Sequence, residues 1–203
     1  MKRIGKGAAL ALLGAISLYG TAASAQDASK WYAGAAVGQA KFHDLCQGVP
    51  VSCKDSDTAW KFFGGYKFHP NFSAELAYND FGKGNANGTI SGVSVNADAK
   101  SNAWELDGVG TWPLGNKFSV FGKLGLYRAK VELTGSAAVA GFSGSSSANS
   151  TNTGLTFGAG GMYDITPAIA ARLELQRYSR VGSDDVGGKS DVDVISIGAL
   201  FKF

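Results

Sequence analysis

Cysteine, histidine and proline are scarce in this 203-residue sequence, which has two cysteines, two histidines and four prolines. Cys46 and Cys53 cannot supply the four ligands of a structural zinc site, and His43 is the only other candidate ligand close to them in the sequence. Glycine is abundant, with 29 residues, but no Gly-X-Y period is present, which excludes a collagen-like chain. In an exported protein the two cysteines would instead form a disulfide that staples one loop.

Long apolar runs are also missing, with one exception at the amino terminus. Three basic residues precede an apolar stretch at 8–18, and the cleavage signal "ASA" follows at 23–25. This arrangement predicts a cleaved secretory signal peptide over residues 1–25 and a mature domain over residues 26–203. No later stretch approaches the ~20 apolar residues of a membrane helix.

An excess of positive charge is absent once the leader is removed. Of the 19 basic residues, three lie in the leader, so the mature chain has 16 basic and 16 acidic residues. A chain without net charge has no electrostatic reason to bind nucleic acid, and we predict no nucleic-acid partner.

Helical periodicity is almost absent after residue 25, whereas strict alternation of apolar and polar residues recurs in eight segments. They are residues 31–42, 58–68, 72–81, 103–112, 118–133, 153–163, 169–178 and 192–203. Their lengths suit tilted membrane strands. Short connections alternate with the long connections 43–57, 82–102, 134–152 and 179–191. An up-and-down meander would therefore carry every long loop at one end and both termini at the other, as outer-membrane barrels do.

The alternating faces distinguish a soluble barrel from a membrane barrel. In "IAARLELQRY", Arg172 and Glu174 alternate with apolar residues, and an inward apolar face would point both charges at lipid. A basic side chain near the bilayer midplane costs roughly 2–4 kcal/mol, which favours the outward apolar face. Aromatic residues also concentrate at strand ends, where a membrane barrel has two interfacial girdles. The predicted girdle residues are Trp31, Trp104, Trp112, Tyr163 and Phe203. The predicted fold is all-β, an eight-stranded antiparallel up-and-down transmembrane β-barrel.

The inward face predicts a polar lumen. Eight strands enclose a space that side chains just fill. The alternation turns charges of both signs into this space, which predicts a network of ion pairs. Its members are Glu75, Glu105, Asp107, Lys123, Arg172 and Glu174. Lys61, Lys67 and Lys202 are further inward cations. We interpret the network as a structural core and predict no catalytic residue, no metal and no cofactor.

Four stretches resemble a known family, the OmpA-like transmembrane domain of outer-membrane proteins. They are "WYAGAAVG", "FGGYKFHPNFSAELAYNDFG", "YDITPAIAARLELQRY" and "ISIGALFKF". The resemblance implies an outer-membrane barrel with periplasmic termini, inserted by the outer-membrane assembly machinery, which reads a C-terminal strand ending in an aromatic residue. It also implies an inward acid at Glu75 and an inward base at Arg172. Val109 and Met162 stand where the family typically carries an inward lysine and glutamate. Many members continue into a peptidoglycan-binding domain, which we do not expect in a sequence that ends at Phe203.

The first predicted function is a non-enzymatic, monomeric barrel with a structural or surface-interaction role. Ion pairs would plug its lumen, its partners would be outer-membrane lipids and lipopolysaccharide, and its specificity would reside in four long extracellular loops. We expect the small-residue loop 134–152 to be mobile. A pore for small solutes or ions is an alternative, although eight strands leave no open channel.

A lipid-modifying enzyme of the outer leaflet is the remaining alternative. Such an enzyme needs a base beside a nucleophile, and only His43 and His69 could serve as that base. The fourth long loop is acidic, and we interpret it as a solvated loop in preference to a calcium site, because the EF-hand spacing is absent. The carboxylates of that loop are Asp184, Asp185, Asp191 and Asp193.

Overall fold

A computed structural model describes residues 30–43, 52–90, 93–139, 142–183 and 188–203, so the predicted leader lies outside the described residues. The strands are β1 (Trp31–Phe42), β2 (Ser52–Lys54), β3 (Ser56–His69), β4 (Phe72–Ile90), β5 (Val93–Pro113), β6 (Phe118–Val139), β7 (Phe142–Asp164), β8 (Ile169–Ser183) and β9 (Gly188–Lys202). The described residues include no helix that is long and apolar enough to cross a membrane.

Eight of the strands close into one antiparallel barrel, which confirms the predicted fold class. β1 pairs with β3, each later strand pairs with the next, and β9 returns to pair with β1. The short β2 adds only to the far part of β4. At the closure, the Trp31 amide donates to the Phe203 carbonyl at 3.2 Å, and the Phe203 amide donates back to Trp31 at 2.9 Å. Over the residues that the structure describes, the wall therefore has no open edge whose main-chain groups lipid would leave unsatisfied.

The connections divide the barrel into two unlike ends. The short turns at 70–71, 114–117 and 165–168 lie at the end where the chain enters β1 and leaves β9, which we call the short-turn end. Side chains order these turns: Thr166 Oγ1 accepts a hydrogen bond from the Ile169 amide at 3.0 Å. The opposite end carries the long connections and is called the long-hairpin end.

Two of the long connections are largely strand, in contrast to the sequence-based expectation. The β4–β5 ladder continues until Ile90 pairs with Val93, and the β6–β7 ladder continues until Val139 pairs with Phe142. The expectation of a loop over 134–152 was therefore wrong for its described residues, which are paired strand, while its mobility stays a prediction. The alternation of apolar and polar residues fades in these segments, and the paired main chain alone continues the ladder.

The lumen is filled in three levels. A hydrophobic layer near the long-hairpin end, the upper layer, consists of Ala40, Ala59, Phe81, Ala103, Tyr127, Ala129, Tyr178, Val181, Val192 and Val194. A second layer near the short-turn end, the lower layer, consists of Tyr32, Phe63, Ala77, Ala170 and Leu200. Charged and polar side chains are buried between the two layers. The outer face is apolar instead, with exposed leucines and isoleucines along the wall.

Candidate functional site

The charged residues that alternate inward meet at one level of the lumen, around the ammonium group of Lys123. Its Nζ lies 3.0 Å from Asp107 Oδ2, 3.0 Å from Glu174 Oε1, 3.1 Å from Glu105 Oε1 and 3.9 Å from Glu75 Oε1. The four carboxylates come from β4, β5 and β8, so a single cation on β6 joins strands on different sides of the barrel.

Arg172 on β8 supplies the second cation of the cluster. Its Nη1 lies 2.7 Å from Glu75 Oε2, and its Nη2 lies 2.5 Å from Glu174 Oε2. The guanidinium carbon stands 4.7 Å from the ring centre of Phe63 and 4.3 Å from that of Phe121. A planar guanidinium can stack on aromatic faces while its edge donates to carboxylates. Phe63 interrupts the polar face of β3 in the sequence, and this contact explains why an aromatic residue points inward there.

Lys61 on β3 is a third cation, which the predicted network of six residues did not include. Its Nζ lies 2.7 Å from Glu105 Oε1 and 2.8 Å from Glu174 Oε1, and it donates to Gln176 Oε1 at 2.9 Å. Tyr178 donates to Glu105 Oε2 at 2.6 Å. Alternation does place Lys61 inward, but its partners depend on how β3 and β8 are staggered, which the sequence does not show.

The seven charged side chains form one connected cluster that water barely reaches, and none is more than 7% exposed. Three of them are cations and four are carboxylates. Most of the carboxylates have several donors, but Asp107 has no neutral donor within hydrogen-bond geometry, and its close contact with a cation is Lys123 Nζ at 3.0 Å. Buried charges of this kind are tolerated only where opposite charges and hydrogen bonds replace the lost hydration.

Within the described residues, one group of carboxylates has the spacing of a metal site. Glu75, Glu105 and Asp107 each place an oxygen atom within 4.8 Å of the others. The Lys123 ammonium contacts all three. The cluster therefore already contains a cation at the position where a metal ion would compete.

A cavity of about 230 Å³ lies below the lower layer, at the short-turn end. Lys67 and Lys202 line it, and Lys202 Nζ contacts Asp164 Oδ1 at 2.6 Å. Arg172, Tyr32 and Leu200, from the cluster and the lower layer, line it as well. Two of the predicted inward cations are thus outside the central cluster.

At the long-hairpin end, Asp193 joins His43 to Arg177 beyond the apolar part of the outer face. Asp193 Oδ1 lies 2.5 Å from Arg177 Nε, and Oδ2 lies 2.8 Å from His43 Nε2. Hydrogen bonds from Arg177 lower the pKa of Asp193 to about 2. Ser190 Oγ donates to the main-chain oxygen of His43 rather than to its ring. The structure therefore does not place this serine where His43 could activate it.

His69 and Asp191, the other described residues of the enzyme and calcium alternatives, lie at opposite ends of the barrel. His69 lies at the short-turn end, where its Nδ1 accepts from the Asn71 amide at 3.2 Å. Asp191 accepts from the Arg180 amide at 2.9 Å, which holds the main chain at a bulge of β8. Asp184 and Asp185 lie outside the described residues, as does Cys46, and of Cys53 only the main chain is described.

The predicted girdle residues all point away from the barrel. Trp31, Trp104, Trp112, Tyr163 and Phe203 are exposed on the outer face. Trp104 packs near Tyr78 on the neighbouring strand, with ring centres 5.2 Å apart, toward the long-hairpin end. At the short-turn end, Trp31 and Tyr66 stand 4.7 Å apart, and Phe201 stacks on Phe203. Trp60, which the prediction omitted, is a further outward aromatic residue.

Comparison with known proteins identifies relatives of the chain. It is 28% identical over 200 residues to outer membrane protein A of Shigella flexneri, covering 93% of this chain and 54% of that protein. It is 29% identical over 171 residues to outer membrane protein P5 of Haemophilus influenzae, covering 79% of this chain and 47% of that protein. The chain thus spans about half the length of these relatives.

Solved structures share the fold. The outer membrane protein OprG from Pseudomonas aeruginosa gives a TM-score of 0.57 at 16% identity, over 87% of this chain and 97% of that chain. Neisserial surface protein A gives 0.55 at 16% identity, over 87% of this chain and 99% of that chain. The family model of the OmpA-like transmembrane domain matches residues 26–203. The chain belongs to the family of OmpA-like transmembrane domains, and it is a β-barrel of the outer membrane.

Proposed function

We propose that this protein is a sealed structural barrel, with a lumen plugged by ion pairs and an interaction surface built from its long hairpins. The observation that carries this proposal is the charged cluster around Lys123, which is closed in by the upper and lower layers. An ion crossing the barrel would have to separate buried pairs. Removing one partner from such a pair typically costs about 3–5 kcal/mol.

Planar-bilayer recording tests whether the barrel is sealed. The mature chain, refolded and inserted into a bilayer, should give no steady conductance above that of the lipid alone. Lys123→Ala, which removes the central cation and shortens the side chain, should give more frequent openings if the cluster is the barrier. Regular single-channel steps from the wild-type barrel would contradict the proposal and favour a small-solute or ion pore instead.

We further propose that the short-turn end faces the periplasm and the long-hairpin end faces outward. The ladders that join β4 to β5 and β6 to β7 extend well beyond the aromatic Trp104 and would hold their tips above the lipid. Protease added to intact cells should cleave the long hairpin of β6 and β7 and spare the turn at 114–117. Cleavage of that short turn in intact cells would reverse the orientation.

The proposed partners are outer-membrane lipids, including lipopolysaccharide. Arg128 and Lys130 are exposed on β6, and Arg128 pairs in register with Trp104 on β5. An arginine beside an interfacial tryptophan suits a phosphorylated headgroup, because the cation meets phosphate while the ring lies against acyl chains. Arg128→Gln should lower the amount of lipopolysaccharide that co-purifies with the barrel. Lys189→Gln, an exposed lysine on β9, is the matched control.

The last part of the proposal concerns how the chain is inserted and how many copies associate. We propose insertion by the outer-membrane assembly machinery, no nucleic-acid partner, and a monomer, since β9 pairs with β1 of the same chain. Sedimentation equilibrium in density-matched detergent should return the mass of one chain. A mass of two chains would contradict the monomer.

A further inference from the structure

We propose that the lumen cluster binds one proton at neutral pH, and that the Asp107 carboxyl group is its binding site. The inference rests on the proposed closed plug and adds to it a ligand, the proton, together with the residue that holds it.

The cluster has one carboxylate more than it has cations. Lys61, Lys123 and Arg172 face Glu75, Glu105, Asp107 and Glu174, and all seven side chains are nearly inaccessible to water. Fully ionised, the cluster would have one uncompensated negative charge between two hydrophobic layers. A buried charge without a partner is expensive enough that the group is normally neutralised instead.

Asp107 is the carboxylate whose negative charge is stabilised by the fewest neighbouring groups. Its contact with a cation is the 3.0 Å approach of Oδ2 to Lys123, whose ammonium also lies near the other three carboxylates. Neither Asp107 oxygen accepts a hydrogen bond from a neutral donor. Its Oδ1 lies against Gly125 on β6, at a place that a side chain on that residue would fill.

The other carboxylates have stronger partners. Glu75 accepts two hydrogen bonds from Arg172, at 2.7 and 3.3 Å. Glu105 accepts from Tyr178 at 2.6 Å and from Gln176 at 2.8 Å, and it contacts Lys61 as well. Each of these donors stabilises an ionised acceptor more strongly than a neutral one, so binding the proton at Glu75 or Glu105 would weaken these hydrogen bonds.

The groups facing Asp107 across each neighbouring strand reinforce this assignment. Glu75 is its register partner on β4, and Glu105 is on the same face of β5. Lys123 is on β6, while Arg172 and Glu174 reach the cluster from β8. Two acids therefore lie close to Asp107, and a like charge nearby disfavours ionisation. Lys67, the next inward cation on β3, lies beyond Phe63 and lines the cavity at the short-turn end.

Infrared spectroscopy detects the proton directly. The refolded mature barrel at neutral pH should show the carbonyl stretch of a protonated carboxylic acid, and Asp107→Asn should remove that band. Glu132→Gln, which changes an exposed acid on β6 outside the cluster, is the matched control and should leave the band in place. Glu105→Gln leaves three cations and three carboxylates, so Asp107 should ionise and the band should weaken there as well. A wild-type spectrum without this band, or a band that persists unchanged in Asp107→Asn, would overturn the assignment.

Stability provides a second measurement, because an ionised, purely structural aspartate would lose stability when changed to asparagine and a protonated one would not. An amide replaces a neutral carboxyl group with almost no change of shape, so Asp107→Asn should unfold at the wild-type urea concentration or slightly above it. Glu105→Gln removes a charge that two neutral donors, Tyr178 and Gln176, and two cations, Lys61 and Lys123, stabilise. It should lower the folded-to-unfolded ratio roughly 100-fold or more. Failure of Asp107→Asn to fold, or an equal loss in both variants, would refute the proposal.

A bound metal cation is the competing way to balance the cluster, because Glu75, Glu105 and Asp107 have the spacing of a cation site. Unfolding in sodium, potassium and choline chloride, and in calcium with and without chelator, separates the two. The proton predicts the same midpoint in every salt of equal ionic strength, whereas a midpoint that depends on the cation would overturn it. Bilayer conductance is recorded separately. An open pore would contradict the proposed closed plug, whereas an ionised Asp107 in a closed barrel would contradict only the proton site.

Discussion

Replacing the central cation of the lumen, Lys123→Met, should destabilise the barrel severely. The Lys123 ammonium contacts four carboxylates at 3.0 to 3.9 Å, and its side chain is fully buried. Methionine fills a similar volume but supplies no charge, so the acids would lose their shared partner without leaving a large cavity. Breaking a buried pair in this way costs about 3–5 kcal/mol.

A second lysine on the same strand provides the control. Lys130 also makes an ion pair, with Glu132 at 2.6 Å, but both side chains are about half exposed. Solvent screens such a pair, and its loss typically costs about 0–1 kcal/mol. Lys130→Met therefore changes the same residue type on β6 and should leave the free energy of unfolding almost unchanged.

Urea unfolding in detergent micelles measures both effects, followed by tryptophan fluorescence and by heat-modifiable migration on gels. With a slope of about 1–3 kcal/mol per molar urea, a loss of 3–5 kcal/mol lowers the midpoint by roughly 1–5 M. If Lys123→Met does not fold, adding Glu105→Gln should recover folded protein, because one charge of each sign is then removed. Equal midpoints for the two single lysine variants would refute the idea that the cluster stabilises the barrel.

Three smaller predictions follow from individual contacts. Gly125→Ala should cost about 1–3 kcal/mol in urea unfolding, because its new methyl group would collide with a neighbouring main chain, whereas Gly135→Ala meets open space and should cost little. Phe121→Leu removes one of the two rings that cover the buried guanidinium, and its midpoint should fall by an amount equivalent to roughly 1 kcal/mol. Arg177 lowers the carboxyl pKa of Asp193 to about 2, below the usual value of about 3.9. The stabilisation by this pair is therefore complete above a pH of about 3.9 and disappears only as the pH falls through 2. A slowly exchanging Arg177 Nε proton signal that is lost already near pH 5 would contradict this.

The barrel and the inward charges could be predicted from the sequence because alternation is a local property. Arg172 and Glu174 share a face with each other in any strand, and their cost in lipid selects the lumen. The same reasoning identified Glu75, Glu105 and Asp107 as inward residues, and the structure brings them within reach of one ammonium group.

The choice of partners could not be predicted, since it depends on the stagger between strands far apart in the sequence. Lys61 and Gln176 meet across the lumen from β3 and β8, and nothing in either segment indicates the other. The continuation of the strands above the wall was missed for a different reason. Main-chain pairing maintains the hairpin β6–β7 through "SGSSSANST", and main-chain pairing leaves no apolar alternation to detect.

The reciprocal hydrogen bonds between Trp31 and Phe203 also constrain how the chain acquires its shape. Seven of the eight strand junctions join neighbours along the chain, and a local hairpin can form each of them early. The eighth, β9 onto β1, spans the whole sequence and carries the largest loop-closure entropy. Until β9 pairs with β1, both strands are unpaired edges, and the incomplete sheet could pair with a strand of another chain. We therefore expect the pairing of β9 with β1 to be the slow step of refolding, and refolding followed by gel migration should be slowed more by substitutions in β1 or β9 than by comparable substitutions in other strands.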